Sequence, residues 1–427
     1  MEKMDKRLIL VMLFAAVGMF VMANWSCGRE EVVRPEEIRS KRLVVYDQEK
    51  YQELARLWEK YNKAYPSEFA YGNWVYAERY AGHDFIPLVK RGLKKYPDNP
   101  LLLYLASMEN QGKPEDRQAL EYLERAVAID PNFLDPWFSL VTIYMSFGDD
   151  EKVNLALRKI LESGYVHDDI YDYNYNVLIG LEQNAVLISN GDNDTYPVWI
   201  LQRILNVRPD VTLANMSLLN TKWYPVYLVE HGAPQFVTAS EVEAIRDSSD
   251  QALAARTEKT PVWNPYSYPL ITKMIGAAER ERRPVYFAHT VYEDEFIKSY
   301  KEQGCLLGLA TLVTPCGDDK NKRLEDAMRI WVNQFRTGGM DSWRLRSTKP
   351  TDAGRMLMPN YAFVAAVSAA KLKGASPELR GALFKWYRAH VEPILNEDMK
   401  KKVCQVWCEI EDVPEISEWC KVQDCRM

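Results

Sequence analysis

Asn190, Asp192, Asn193, Asp194 and Thr195 put two carboxylates, two carboxamides and a hydroxyl into one short stretch. Such a set hydrogen-bonds hydroxyl-rich ligands. The Asp192 and Asp194 pair also has the Asp-x-Asp spacing that holds a divalent cation in nucleotide-sugar enzymes. A second polar group follows at Asn220, Thr221, Trp223 and Tyr224, where two aromatic rings offer an apolar face, and a third at His289 and Thr290. Together they suit a sugar or a glycosylated peptide. The same residue types also serve purely structural ends, because Asp and Asn favour tight turns and an Asp or Thr before Tyr-Pro caps a helix. No glutamate lies at EF-hand spacing from the acidic turn, so Asp192 and Asp194 are a weak metal pair and no cofactor is expected. His289 closes an apolar run and reads as a satisfied sheet-edge histidine before it reads as a base. No Ser or Cys stands in a nucleophile elbow and no Gly-rich phosphate loop follows a strand. No catalytic residue is assigned.

The elements that would gather these groups alternate between strand and helix. Ala185 to Ser189 is a continuous apolar run of the kind found in buried parallel strands. Pro197 to Leu205 reads as a helix, Val211 to Met216 as the next strand and Trp223 to Glu230 as a short helix. Helices over Glu241 to Ala255 and Leu270 to Arg280 precede strands over Pro284 to His289 and Leu306 to Val313. This alternation implies a small, mainly parallel sheet with helices against it, and ligands of such sheets bind beyond the C-terminal strand ends. The three polar groups all follow strands, so they should converge there.

Helical text flanks this α/β region. Trp137, Leu140, Tyr144 and Gly148, then Val153, Leu157 and Ile160, fall at the positions of a tetratricopeptide-type helical hairpin. Ala119, Leu123, Ala126 and Pro131 repeat the theme with Gly112 at the turn and extra residues around Pro114, and Asp84 to Pro97 reads as one more second helix. Such repeats imply a protein partner. From Lys322 on the chain is helical again, with Asn360 to Leu372 and Pro377 to His390 as an antiparallel pair. Gly338 and Gly339 separate that pair from the helix before it. The expected fold is α/β with flanking α-helical repeats, divided into a leader over 1–26, a linker over 27–50, tetratricopeptide-like helices over 51–168, the α/β domain over 169–320 and a helical domain over 321–427.

Met1 to Arg7 carries three basic and two acidic groups, and sixteen uncharged residues follow from Leu8 to Ala23. This is the layout of an export signal, short for a comfortable transmembrane helix. Ser26 and Cys27 follow it, which resembles a bacterial lipoprotein signal in which Cys27 becomes the lipidated first residue, although Asn24 and Trp25 depart from the usual pattern. An uncleaved anchor and simple secretion are the other outcomes, and all three place the chain outside the cytoplasm, in the periplasm or at the outer membrane. Six cysteines remain of the seven, an even number suited to disulfides in an oxidising space. Cys404 and Cys408 share one helix face, so Cys404 with Cys425 and Cys408 with Cys420 would staple a helical hairpin. Zinc is the rival use of these four, at a spacing that fits no common structural site. Cys305 and Cys316 flank a run that reads as one strand, which would hold them too far apart to pair. The formal net charge of −6, with no basic tract, argues against nucleic acid as a partner.

Three segments resemble, in order, the extracytoplasmic C-terminal region of a bacterial membrane family of protein O-mannosyltransferase-like proteins, long regarded as a domain of unknown function. They are Tyr173 to Tyr224 with its Asn-Gly-Asp-Asn-Asp-Thr-Tyr-Pro turn, Arg283 to Ala288, and Gly308 to Pro315; a weaker fourth is Pro359-Asn-Tyr with the helices after it. The family's membrane block is expected to hold the lipid-linked sugar donor and the catalytic carboxylate. No uncharged stretch of ~18 residues follows residue 23 here, so the resemblance implies a freestanding version of the accessory region, with no catalysis carried over. The expectation is a non-catalytic, lipid-anchored binding or scaffold protein. The competing class is an enzyme, or an enzyme subunit, acting on cell-envelope glycans or glycoproteins.

Overall fold

The computed structural model describes residues 32–110, 117–256, 264–349 and 351–423. The leader with Cys27, the turn at Gly112 and Pro114, and Cys425 lie outside the described residues. The described residues form two compact units, one made of those up to Ile38 together with Asp47–Tyr96, the other of Arg39–Tyr46 together with those from Pro97 on. The tetratricopeptide-like stretch is therefore shared between them.

The first unit is built on three helices, α1 (Gln48–Ala64), α2 (Glu68–Tyr80) and α3 (Ile86–Lys95). Asp47 and Ser67 cap the first two by accepting from the backbone N–H groups of Lys50 and Ala70. Tyr51, Leu54, Ala55 and Trp58 fall three and four apart on α1 and are buried against α2, which returns Val75, Tyr76, Ala77 and Tyr80 to the same core. The extended segment before α1 is pinned to this hairpin, because the Trp58 indole donates to the Glu36 carbonyl at 2.8 Å and Asn73 Oδ1 accepts from the Ile38 N–H at 2.9 Å.

The second unit begins with helical hairpins. They are α4 (Pro100–Ala106), α5 (Arg117–Ile129), α6 (Asp135–Ser146) and α7 (Asp150–Glu162), followed by α8 (Asp168–Ile179). Leu123, Ala126, Trp137, Leu140, Tyr144, Val153, Leu157 and Ile160 are all buried. Gly148 has φ +69 at the α6–α7 turn, a conformation that costs glycine nothing. These are helical repeats set before a sheet, as the residue pattern requires.

The sheet has five strands: β1 (Val186–Ser189), β2 (Thr212–Asn215), β3 (Val285–Ala288), β4 (Cys305–Leu307) and β5 (Ala310–Leu312), in the order β2-β1-β3-β5-β4. β1 is parallel to both neighbours, with Ile188 opposite Ala214 and Phe287. Its four residues are buried, which is why its text is unbroken apolar. β5 runs antiparallel to β3, and β4 to β5, so the sheet is mixed. The helices between and around the strands are α9 (Tyr196–Arg203), α10 (Tyr224–Glu230), α11 (Ala239–Ala254), α12 (Ser267–Arg280) and α13 (Glu295–Gln303).

One expectation is overturned here. Cys305 and Cys316 are disulfide-bonded, with Cα atoms 4.8 Å apart. The run from Leu306 to Val313 is two strands and a two-residue turn, with Gly308 at φ +60 in the first turn position, where a tight hairpin needs a glycine. Cys305 pairs in register with Leu312, so the fold-back brings Cys316 within reach. Apolar periodicity had hidden the turn because Leu309 inside it is itself buried.

The chain ends in helices α14 (Lys320–Gln334), α15 (Gly338–Asp341), α16 (Trp343–Ser347), α17 (Ala353–Lys371), α18 (Pro377–His390), α19 (Glu397–Trp407) and α20 (Pro414–Val422). α17 begins before Pro359 and carries it inside. Cys408 and Cys420 bridge α19 to α20, with Cα atoms 5.7 Å apart. Cys404 is also disulfide-bonded. Arg380, wholly buried on α18, donates to both oxygens of Asp412 between those helices.

Candidate functional site

The C-terminal ends of β1, β2 and β3 lie side by side, and the loops that leave them are joined by side-chain hydrogen bonds. Asn215, the last residue of β2, donates through Nδ2 to the Asn190 carbonyl at 3.1 Å and to Thr195 Oγ1 at 2.8 Å. Ser189 and Thr195 share a hydroxyl–hydroxyl bond of 2.9 Å. Asp194 Oδ2 accepts from the Asn190 N–H and from the Thr290 hydroxyl, which ties the loop after β1 to the loop after β3. Asn174 on α8 reaches over to donate to the Asn193 carbonyl at 2.8 Å. The turn itself is a short 3-10 segment, Asp192–Asp194, followed by α9 with Pro197 in its first turn.

The two aspartates of this turn face different surroundings. Asp194 is buried, and its Oδ1 has no hydrogen-bond partner among the described residues. Burial raises its pKa above the ordinary carboxylate value, against the hydrogen bonds from Thr290 and the Asn190 backbone. Asp192 is half-exposed and pairs with Arg42 at 2.8 Å. That guanidinium also reaches Asp135 at 2.9 Å and lies 4.4 Å from the Phe138 ring centroid. Burial works against its charge, yet the fields of Asp192, Tyr104 and Asp135 leave its pKa above the ordinary value. Asp192 and Asp194 thus do not converge on one point, and no group of three metal-ligating side chains is found among the described residues.

The second polar group divides. Tyr224 is buried, its hydroxyl donating to the Leu213 carbonyl and accepting from the Asn215 N–H, so it closes the end of β2 and presents no face to a ligand. Trp223 packs edge-on against Tyr224 and Tyr227. Thr221 accepts from the Tyr224 N–H at the start of α10. Asn220 turns the other way, its Oδ1 accepting from the backbone N–H groups of Tyr266 and Ser267 where α12 begins. The joined cluster is therefore Asn190, Asn193, Asp194 and Thr195 with Thr290, and Asp192 held by Arg42; Asn220, Thr221, Trp223 and Tyr224 fasten α10 and α12.

His289 donates its backbone N–H to the Leu309 carbonyl at the sheet edge. Burial pushes its pKa down to about 4, Lys301 adds repulsion, and Glu293 opposes both. The ring is neutral in the folded protein, whereas in the unfolded chain it protonates near pH ~6.5. Unfolding then takes up a proton below that value, so stability falls as the pH drops from ~6.5 to ~4 and is unaffected by this group below that range. The full shift corresponds to a loss of about 3 kcal/mol. A His289→Gln variant should unfold with a flatter pH dependence across that window, which chemical denaturation at several pH values measures. Asp194 has the opposite sign. Its raised pKa means that ionisation costs stability as the pH rises above the unfolded value of ~3.9. The melting temperature of Asp194→Asn relative to wild type should therefore climb as the pH rises above ~4, whatever its absolute offset.

Sequence reasoning missed Arg42, Ser189, Asn215, Asn174 and the residues behind them. Behind Asn174, Tyr173 accepts from Asn360 Nδ2 at 3.2 Å, and Asn176 bonds to both the Arg336 backbone and the Tyr361 hydroxyl. Ser189 and Asn215 carried a signal, since each is the polar residue that ends an apolar strand. Arg42 carried none, being about 150 residues from its partner in an unpatterned segment. A separate cavity of about 550 Å³ lies toward the N-terminal ends of β1 and β3, lined by Glu182, Tyr286, Asp318 and Arg323 among others.

The site and fold define an α/β sheet whose C-terminal edge is sealed by polar turns and set among helical hairpins. Residues 170–230, from the first turn of α8 to the end of α10, match the family model of TMEM260-associated domain 2. No curated protein matches the chain. The matched segment contains every residue of the joined cluster except Arg42 and Thr290.

Proposed function

We propose that this chain is a non-catalytic, extracytoplasmic, lipid-anchored binding or scaffold protein, accessory to protein glycosylation in the cell envelope. The observation that carries this reading is the use made of the acidic turn. Its carboxylates, carbonyls and hydroxyl bond to Arg42, Thr290, Asn215, Ser189 and Asn174, which gives a stiff, pre-organised edge beside helical repeats. Pre-organisation lowers the ordering cost of binding a partner. Support for the glycosylation setting comes from the TMEM260-associated domain 2 match, which is in keeping with a protein O-mannosyltransferase-like family. Support for an oxidising compartment comes from the Cys305–Cys316 and Cys408–Cys420 bonds. No helix among the described residues is long and apolar enough to cross a membrane; in this reading the leader and Cys27 supply the anchor.

One observation favours the second reading, an enzyme or enzyme subunit acting on envelope glycans. A buried carboxyl with a raised pKa and one unbonded oxygen, as at Asp194, is the kind of group that serves as a general acid. Thermal shift of the purified protein with a sugar panel, Ca²⁺ and Mn²⁺ tests the edge directly, with Asp192→Ala, Asp194→Ala as the control. Selective stabilisation of wild type by a sugar supports recognition at this edge. Turnover of a glycopeptide that is lost in Asp194→Asn would replace the scaffold reading with the enzymatic one. Crosslinking and pull-down from the native envelope should recover a membrane glycosyltransferase or its substrate, and recovery of neither would remove the accessory role.

A further inference from the structure

Exposed large apolar side chains gather on the first unit around the point where the chain enters the described structure. Leu57, Tyr65 and Phe69 are 40%, 49% and 41% exposed, and Val33 is 79% exposed. Leu57, Tyr61 and Tyr65 are four apart at the end of α1 and so share one face. Tyr61 and Tyr65 touch at 5.1 Å between centroids, and Tyr61 and Phe69 pack edge-on over the buried Trp58 ring at 5.5 and 5.6 Å, so the exposed rings sit on one shared base. The entering segment is held against this surface, because the Arg34 guanidinium lies 4.4 Å from the Phe69 centroid and the Trp58 indole donates to the Glu36 carbonyl.

The sequence before that segment says what covers the face. Leu8 to Ala23 is uncharged and apolar, and Cys27 stands five residues before Val32. Extended chain spans at most ~30 Å from Ala23 to Val32, and ~17 Å from Cys27 to Val32. Either form of anchoring therefore keeps the aromatic face within a few tens of ångströms of the bilayer surface. Tyrosine rings with apolar bodies and polar tips prefer that interface. We infer that the Leu57, Tyr61, Tyr65 and Phe69 face of the first unit lies on the lipid headgroup region, as a second, non-covalent membrane contact beside the anchor. The inference rests on the membrane-anchored part of the reading above.

The test uses full-length protein in phosphatidylcholine vesicles that carry a diazirine on one acyl chain, with adducts mapped by mass spectrometry after illumination. Adducts within residues 57–69 are the expected result. A Tyr65→Ser, Phe69→Ser variant should lose most of them while sedimenting with the vesicles as wild type does and keeping its melting temperature. Leu155→Ser, at another exposed apolar position, should leave the adducts unchanged. Protein that sediments with vesicles but gives no adducts in 57–69 overturns the inference and leaves the anchor standing. Protein that does not sediment overturns both. Capture of a protein at Phe69 in native membranes, in place of lipid, also overturns it.

Discussion

Replacing Arg42 with alanine should destabilise the second unit by about 3 kcal/mol, because one guanidinium serves two carboxylates and two aromatic rings. Its two terminal nitrogens bind Asp135 and Asp192, at 2.9 and 2.8 Å. Phe138 and Tyr196 lie beneath it at 4.4 and 5.8 Å. Asp135 is buried, so losing this counter-charge is costly there, whereas Asp192 is half-exposed and can turn to water. Asp192→Ala alone should therefore cost about 1 kcal/mol or less. Arg42→Lys keeps the charge but loses the planar fork that spans both carboxylates, and should fall between the two. Urea denaturation of the three variants gives the order, and a loss of under about 1 kcal/mol in Arg42→Ala would show that the latch contributes little. The consequence reaches the candidate site. Arg42 belongs to a segment whose neighbours Leu43, Val44 and Val45 pair with Thr351 to Ala353 through backbone bonds, so releasing it frees the acidic turn from both the helical repeats and the C-terminal helices.

The second large effect separates two adjacent glycines. Gly339→Ala should cost about 3 kcal/mol, since a Cβ there would overlap the backbone of Asp168 and Asp169 on α8, which cannot swing aside as a side chain would. Gly338→Ala should be near neutral, because its Cβ would meet only the end of the Asp172 side chain at 3.8 Å. The Gly339 N–H also donates to Asp172 Oδ2 at 2.8 Å, which fixes α15 against α8. α8 carries Asn174, which holds the Asn193 carbonyl, so pushing the two helices apart should loosen the turn as well as the fold. Thermal denaturation of both alanine variants, with hydrogen exchange of residues 190–195, measures the difference. Equal melting temperatures for the two would contradict the close packing.

Local patterns carried the architecture. β1, β2 and β3 are apolar runs ended by polar residues, and the hairpins of α5, α6 and α7 repeat their buried positions at three- and four-residue steps. Both kinds of signal are written in consecutive residues, because a strand or helix must present its apolar face to the core with a fixed period. The acidic turn was legible for the same reason: Asp, Asn and Thr announce a turn and a cap by their own short side chains.

Partner choice between distant segments was settled only in three dimensions. The split of Leu306 to Val313 into two strands depended on Gly308 turning inside a buried apolar stretch, and that turn alone decided that Cys305 and Cys316 could bond. Tyr224 and Asn220 looked like ligand groups but were taken up by the end of β2 and the start of α12. The sequence by itself determined that the acidic turn follows β1 at the C-terminal edge of the sheet. The tertiary structure decided that Asp194 faces inward and Asp192 outward to Arg42, because burial and ion pairing arise from residues far apart in the chain, whose approach no local period records.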